Sequence, residues 1–173
     1  MIKELLLVIL GAVLADNLIL SGYFGFDSAV MGKDRKTLAL SVAIVLVLSA
    51  LLCKLLGSVL VSLGLEYMFI MLYAVVVLLC ALIPGYVFGD KTPSYGVLVL
   101  NGAVLAAAVK AAEMSVAEGL CYALGTAVAF WGLMEIFASL RLKLNDPSVP
   151  KAMRGTPVTV LAAGIIAMAI YAF

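Results

Sequence analysis

The side chains able to do chemistry in this chain are few, and several interrupt long apolar runs. Asp16 and Asn17 sit together in the first run, Asn101 and Gly102 in the fourth, and Glu135 in the fifth. An ionised carboxylate at Asp16, near mid-depth of such a run, needs a donor, a cation or a proton. With Asn17 and Asn101 as oxygen ligands it reads as an ion or proton site; the alternative is a protonated or capped Asp at a helix break. Glu135 lies about one and a half turns before Arg141 and reads as reaching toward an interface. Lys54 has a stem long enough to carry its ammonium to the opposite interface. Lys110, Glu113 and Glu118 read as an interfacial cluster. The chain has no His, which removes His metal sites and His acid–base catalysis. Cys53, Cys80 and Cys121 stand singly in apolar runs, without CxxC spacing, and read as small buried apolar residues. No phosphate loop, nucleophile elbow or metal-ligand cluster is present.

The elements that must position these residues follow from composition. The 173 residues are 66% hydrophobic and 12% charged, with mean hydropathy +1.25. A soluble domain carries about twice that charge, so a soluble enzyme, a nucleic-acid binder and a disordered segment are excluded. Long apolar runs also exclude an outer-membrane barrel, whose strands alternate polar and apolar residues. A membrane-spanning helix takes about 20 apolar residues, and with loops about 27 to 29, so the chain holds about six. The runs are 5–31, 37–61, 65–89, 96–114, 116–140 and 156–173. The N-terminus resembles a signal peptide only weakly and reads as the first span. Gly11 and Gly57 read as close-packing positions.

Eight basic residues (Lys33, Arg35, Lys36, Lys91, Arg141, Lys143, Lys151, Arg154) fall in the loops after runs one, three and five. Three (Lys3, Lys54, Lys110) fall on the other side. The excess of basic residues marks the cytoplasmic side, which places both termini outside. The two interrupted runs are the first and the fourth, at matching positions of two three-run halves, 1–90 and 91–173. An odd number of spans per half makes the second half inverted relative to the first. The fold class is therefore all-α integral membrane: six transmembrane helices as two inverted three-helix repeats, the first and fourth helices broken. Paired broken spans in an inverted repeat point to a site near the membrane midplane. Two helices using Gly for close packing, with each Asn satisfied by a neighbour, explain the pattern equally well.

Five segments in order carry a family resemblance. They are Ala15-Asp16-Asn17-Leu18-Ile19-Leu20 through Gly25, Leu63-Gly64-Leu65-Glu66-Tyr67, Leu100-Asn101-Gly102-Ala103-Val104-Leu105, Tyr122-Ala123-Leu124-Gly125 through Arg141, and Arg154-Gly155. Nearly end to end, the chain resembles the six-span membrane subunits of the Rnf and Nqr redox complexes, of the RnfA/NqrE type. The resemblance implies an ion-translocating electron-transport complex, coupled to Na⁺ or H⁺ movement, in a bacterial or archaeal inner membrane. It implies redox partner subunits and a sister six-helix subunit of opposite orientation, or a second copy of this chain. In the family, a Cys after the first motif and a Cys in the fourth-span motif help to hold an intramembrane [2Fe–2S] cluster. Those positions here are Asp27 and Gly102; a carboxylate is a poor ligand for such a cluster and Gly has no side chain. The expectation is a divergent, non-catalytic subunit without its own iron–sulfur ligands. Two other readings stay open. One is a stand-alone or homodimeric ion or solute transporter using Asp16, Asn17, Asn101 and Asp27. The other is a structural membrane subunit.

Overall fold

The computed structural model describes residues 2–26, 35–91, 93–144, 150 and 153–171. Among them there are helices and turns and no strand. In chain order the helices are α1 (Ile2–Val13), α2 (Leu18–Ser21), α3 (Arg35–Ser62), α4 (Phe69–Cys80), α5 (Ile83–Phe88), α6 (Tyr95–Val99), α7 (Gly102–Glu113), α8 (Val116–Leu144) and α9 (Thr156–Tyr171). Short 3-10 turns at Glu66–Met68 and Gly89–Lys91 join α3 to α4 and follow α5. Among the described residues, four stretches are by length and composition apolar enough to cross a bilayer: Ile2–Ser21, Arg35–Ser62, Glu66–Phe88 and Val116–Leu140. The apolar helix over Pro157–Ile170 is shorter. The fourth run, 96–114, is divided between α6 and α7 by the break at Leu100–Asn101.

The frame is the pair α3 and α8, of 28 and 29 residues. At 1.5 Å per residue each is about 42 Å long, enough for the roughly 30 Å hydrocarbon layer plus its headgroup borders. Arg35, at the start of α3, donates to Glu135 of α8 at 3.0 Å. Lys54, far along α3, donates to the carbonyl of Ala112 at 2.8 Å, beside the α7–α8 turn. The two long helices therefore run antiparallel. α7 lies between them on a face of small residues: Ala103, Ala107, Ala108 and Ala111 are almost completely buried. Without a hydrophobic force between helices in lipid, such small faces let backbones pack closely. Gly119 is one such place, since a Cβ there would lie 2.6 Å from the Ala111 carbonyl. Gly125 is another: a Cβ would stand 2.9 Å from the Ile9 carbonyl and from Ala12 Cβ. Gly57 packs under the Tyr73 hydroxyl, as a close-packing glycine should, whereas Gly11 has nothing near it. The sequence suggested both, and only the neighbour across the interface separates them.

The first run departs from a single broken crossing. Ile9 and Ala12 meet α8 at Gly125, while Asp16 meets it at Tyr122, so α1 runs antiparallel to α8. After Asp16 the chain reverses. Asp16 pairs with Lys110, late in α7, whereas Gly25 touches Asn101, just before α7 begins. Residues 2–26 thus form a hairpin that turns at Asp16–Asn17. α1 consequently starts toward the Arg35–Glu135 end, not the opposite end that one crossing by 5–31 implies. The cause is local. The chain leaves the helix over Leu14–Asp16, and Asn17 caps a new helix in a new direction.

Candidate functional site

Both breaks are built by the same device. Asn17 has extended dihedrals (φ −71°, ψ 101°), and its side-chain oxygen accepts from the Ile19 and Leu20 amides. Asn101 has nearly the same dihedrals (φ −70°, ψ 97°), and its oxygen accepts from the Ala103 amide. Asn at an N-cap satisfies amides that have no partner inside the helix. Asn17 does more: its amide nitrogen donates to the Val13 carbonyl at 2.8 Å and bridges the break. Asn101 is fully buried, and its amide nitrogen has no hydrogen-bond partner among the described residues.

The second half of the hairpin brings the two breaks together. Gly25 (φ 70°) lies so close to Asn101 that a Cβ there would collide with the Asn101 side-chain oxygen. Tyr23 is also left-handed (φ 55°), and the Gly22 and Phe24 amides both return to the Leu18 carbonyl to close α2. This turn lays the Phe24 ring over Gly102, 3.1 Å from where a Cβ would stand. Phe26 continues inward and meets Phe137 edge-on, with ring centroids 5.2 Å apart.

Asp16 belongs to a different place. Lys110 Nζ lies 2.6 Å from both of its carboxylate oxygens. The buried Tyr122 donates its hydroxyl to Asp16 Oδ2 at 3.0 Å. The same ammonium stands 6.0 Å from the Tyr122 ring centroid, within cation–π range. Nine residues of α7, about 13 Å, separate Lys110 from Asn101. Asp16, Asn17 and Asn101 therefore do not converge as one set of oxygen ligands: both Asn oxygens face helix amides, and the Asp16 charge is met by an ammonium and a phenol. Lys110 and Tyr122 were not singled out as its partners from the sequence. They lie 94 and 106 residues away from Asp16, and no local spacing marks the pairing. Glu135 is at the other end, in an ion pair with Arg35. Asp27 lies outside the described residues.

The junction does not fit an iron–sulfur cluster. Such clusters are held by thiolates; Gly102 offers no donor, and an aromatic ring covers it. Cys53 and Cys80 are buried in the packing of α3 and α4, and Cys121 lies near the start of α8. Among the described residues no group of three His, Cys, Asp or Glu side chains is placed to hold a metal.

The sequence model of the family described as "Rnf-Nqr subunit, membrane protein" matches residues 5–173. The chain belongs to this Rnf-Nqr family. Its relatives include proteins named as the A subunit of the ion-translocating oxidoreductase complex. The one from Syntrophotalea carbinolica is 32% identical, with 99% of this chain and 96% of the relative aligned. Those from Alkalilimnicola ehrlichii and Rhodobacter capsulatus are 32% and 27% identical, with 98% and 99% of this chain aligned and 96% of each relative. As an Rnf-Nqr membrane subunit, the chain keeps the all-helical, apolar construction read from its composition.

Proposed function

We propose that this chain is a membrane subunit of an ion-translocating oxidoreductase complex that holds no iron–sulfur ligands of its own. The observation carrying the first part is the alignment over nearly the whole of both chains with relatives of that name. The second part rests on Gly102 lying bare beneath Phe24. On this reading six membrane segments form two inverted halves, 1–90 and 91–173, and the matched Asn caps at 17 and 101 are the supporting feature. The loops at the Arg35–Glu135 end face the cytoplasm of a bacterial or archaeal cell, because the basic residues gather there. Partners are redox subunits and a sister six-helix subunit of opposite orientation.

Asp16, Asn17, Asn101, Gly102, Asp27 and Glu135 are proposed to border the ion path, the described ones among them divided among three levels. Asp16 stands with Lys110 and Tyr122 at one end, the Asn101–Gly25 junction lies at mid-depth, and Glu135 with Arg35 is at the other end. The test is affinity purification of the tagged chain from its native membrane, with iron and acid-labile sulfide assayed. Recovery with flavin-carrying partners and a homologous six-helix subunit supports the assignment. Recovery alone refutes the complex. Iron lost specifically from an Asp27→Ala preparation refutes the ligand-free reading.

A further inference from the structure

A cavity lies away from the junction, between α3, α4 and α7 at the end opposite the Arg35–Glu135 pair. Its volume is about 580 Å³, within the range of small-molecule sites. Its lining divides by chemistry. Val61, Phe69, Ile70 and Val109 make an apolar wall, while Lys54 and Glu113 bring one charge of each sign to the same space. Lys54 spends one N–H on the Ala112 carbonyl and retains two donors. Glu113 is exposed and forms no ion pair among the described residues. The neighbouring cation Lys110 is already held by both oxygens of Asp16.

We propose that this cavity binds a zwitterionic phospholipid whose headgroup ends in a primary ammonium, that is, a phosphatidylethanolamine. Its phosphate takes the free donors of Lys54, and its ammonium donates to the Glu113 carboxylate. One acyl chain lies along Val61, Phe69, Ile70 and Val109. The choice follows from charge and hydrogen bonding. A phosphatidylglycerol brings net negative charge beside Glu113, where like charges repel. A phosphatidylcholine brings a cation with no N–H to donate. Charge-assisted hydrogen bonds of this kind are stronger than neutral ones.

Native mass spectrometry of the purified chain, offered equal amounts of dioleoyl phosphatidylethanolamine, phosphatidylcholine and phosphatidylglycerol, tests this. The expected result is retention of one ethanolamine lipid about tenfold over the other two, the ratio set by about 1.4 kcal/mol. Lys54→Gln should abolish retention. Because Lys54 also touches the α7 carbonyl, Glu113→Gln at the exposed rim is the second variant, and it should erase the preference over phosphatidylglycerol. Equal retention of all three lipids by the unaltered chain, or an unchanged preference in Glu113→Gln, overturns the proposal.

Discussion

A carboxylate held by an ammonium and a phenol is an anchor before it is a site. Asp16 and Lys110 are 45% and 39% exposed, so solvent and headgroups screen their attraction, and a pair of this kind contributes about 1 kcal/mol. Its value lies in position, since it ties the turn of the 2–26 hairpin to α7 and α8. Asp16→Asn should lower the melting temperature of the detergent-solubilised chain by a few degrees, about the effect of 1 kcal/mol. The exchanged pair Asp16→Lys with Lys110→Asp should recover part of it, and failure to recover removes the ion pair from the account. Gly25 is the sharper constraint. A side chain there meets a left-handed backbone, costing about 1–2 kcal/mol, and also collides with the Asn101 oxygen. Gly64 has almost the same φ (69°) in open space. Gly25→Ala should therefore destabilise markedly more than Gly64→Ala in thermal unfolding; equal losses exclude the collision.

At the scale of elements, the two breaks are two N-caps, and each should cost what a cap costs. Losing an Asn cap to Ala removes about 0.5–2 kcal/mol. Asn17 also bridges to Val13, while the Asn101 amide nitrogen bonds nothing among the described residues. Asn17→Ala should thus lose more stability than Asn101→Ala, and Ser at 101, which keeps an acceptor, should lose least. Unfolding of the three variants in one detergent ranks them; the reverse order shows that the buried Asn101 amide has a partner of its own. The positions of these breaks were legible in the sequence, because Asp-Asn and Asn-Gly interrupt apolar runs and polar groups at depth need a reason. The long apolar helices were legible from hydropathy: four stretches among the described residues are long and apolar enough to cross a bilayer. The reversal at Asp16–Asn17 was not. A cap states where a helix starts, but its direction is set by the Lys110 and Tyr122 contacts, which local pattern does not encode. Phe24 over Gly102 was hidden likewise, since an aromatic in an apolar run looks like any other lipid-facing residue.

For the whole molecule, the hairpin bears on how the chain sits in the bilayer. One crossing by residues 5–31 left Lys3 among the basic residues of the far side. The reversal moves the start of α1 toward the Arg35–Glu135 end, so among the basic side chains of the described residues Lys54 and Lys110 are the ones at the other end. Both of those ammonium groups are engaged, by the Ala112 carbonyl and by Asp16. The asymmetry of basic residues along α3 and α8 is thereby steeper, and basic asymmetry is what orients a membrane chain. Lys143, near the end of α8, and Glu66, in the turn after α3, should then lie on opposite sides of the membrane. Both positions are exposed to a reagent, while Cys53 and Cys80 are buried and Cys121 is partly so. With the three native cysteines replaced by Ala, Glu66→Cys should react with a membrane-impermeant maleimide on intact cells, and Lys143→Cys only after permeabilisation. Reaction of both on intact cells shows that the chain does not separate its two ends across the bilayer. Reaction of Lys143→Cys alone inverts the orientation, and with it the assignment of the Arg35–Glu135 end to the cytoplasm.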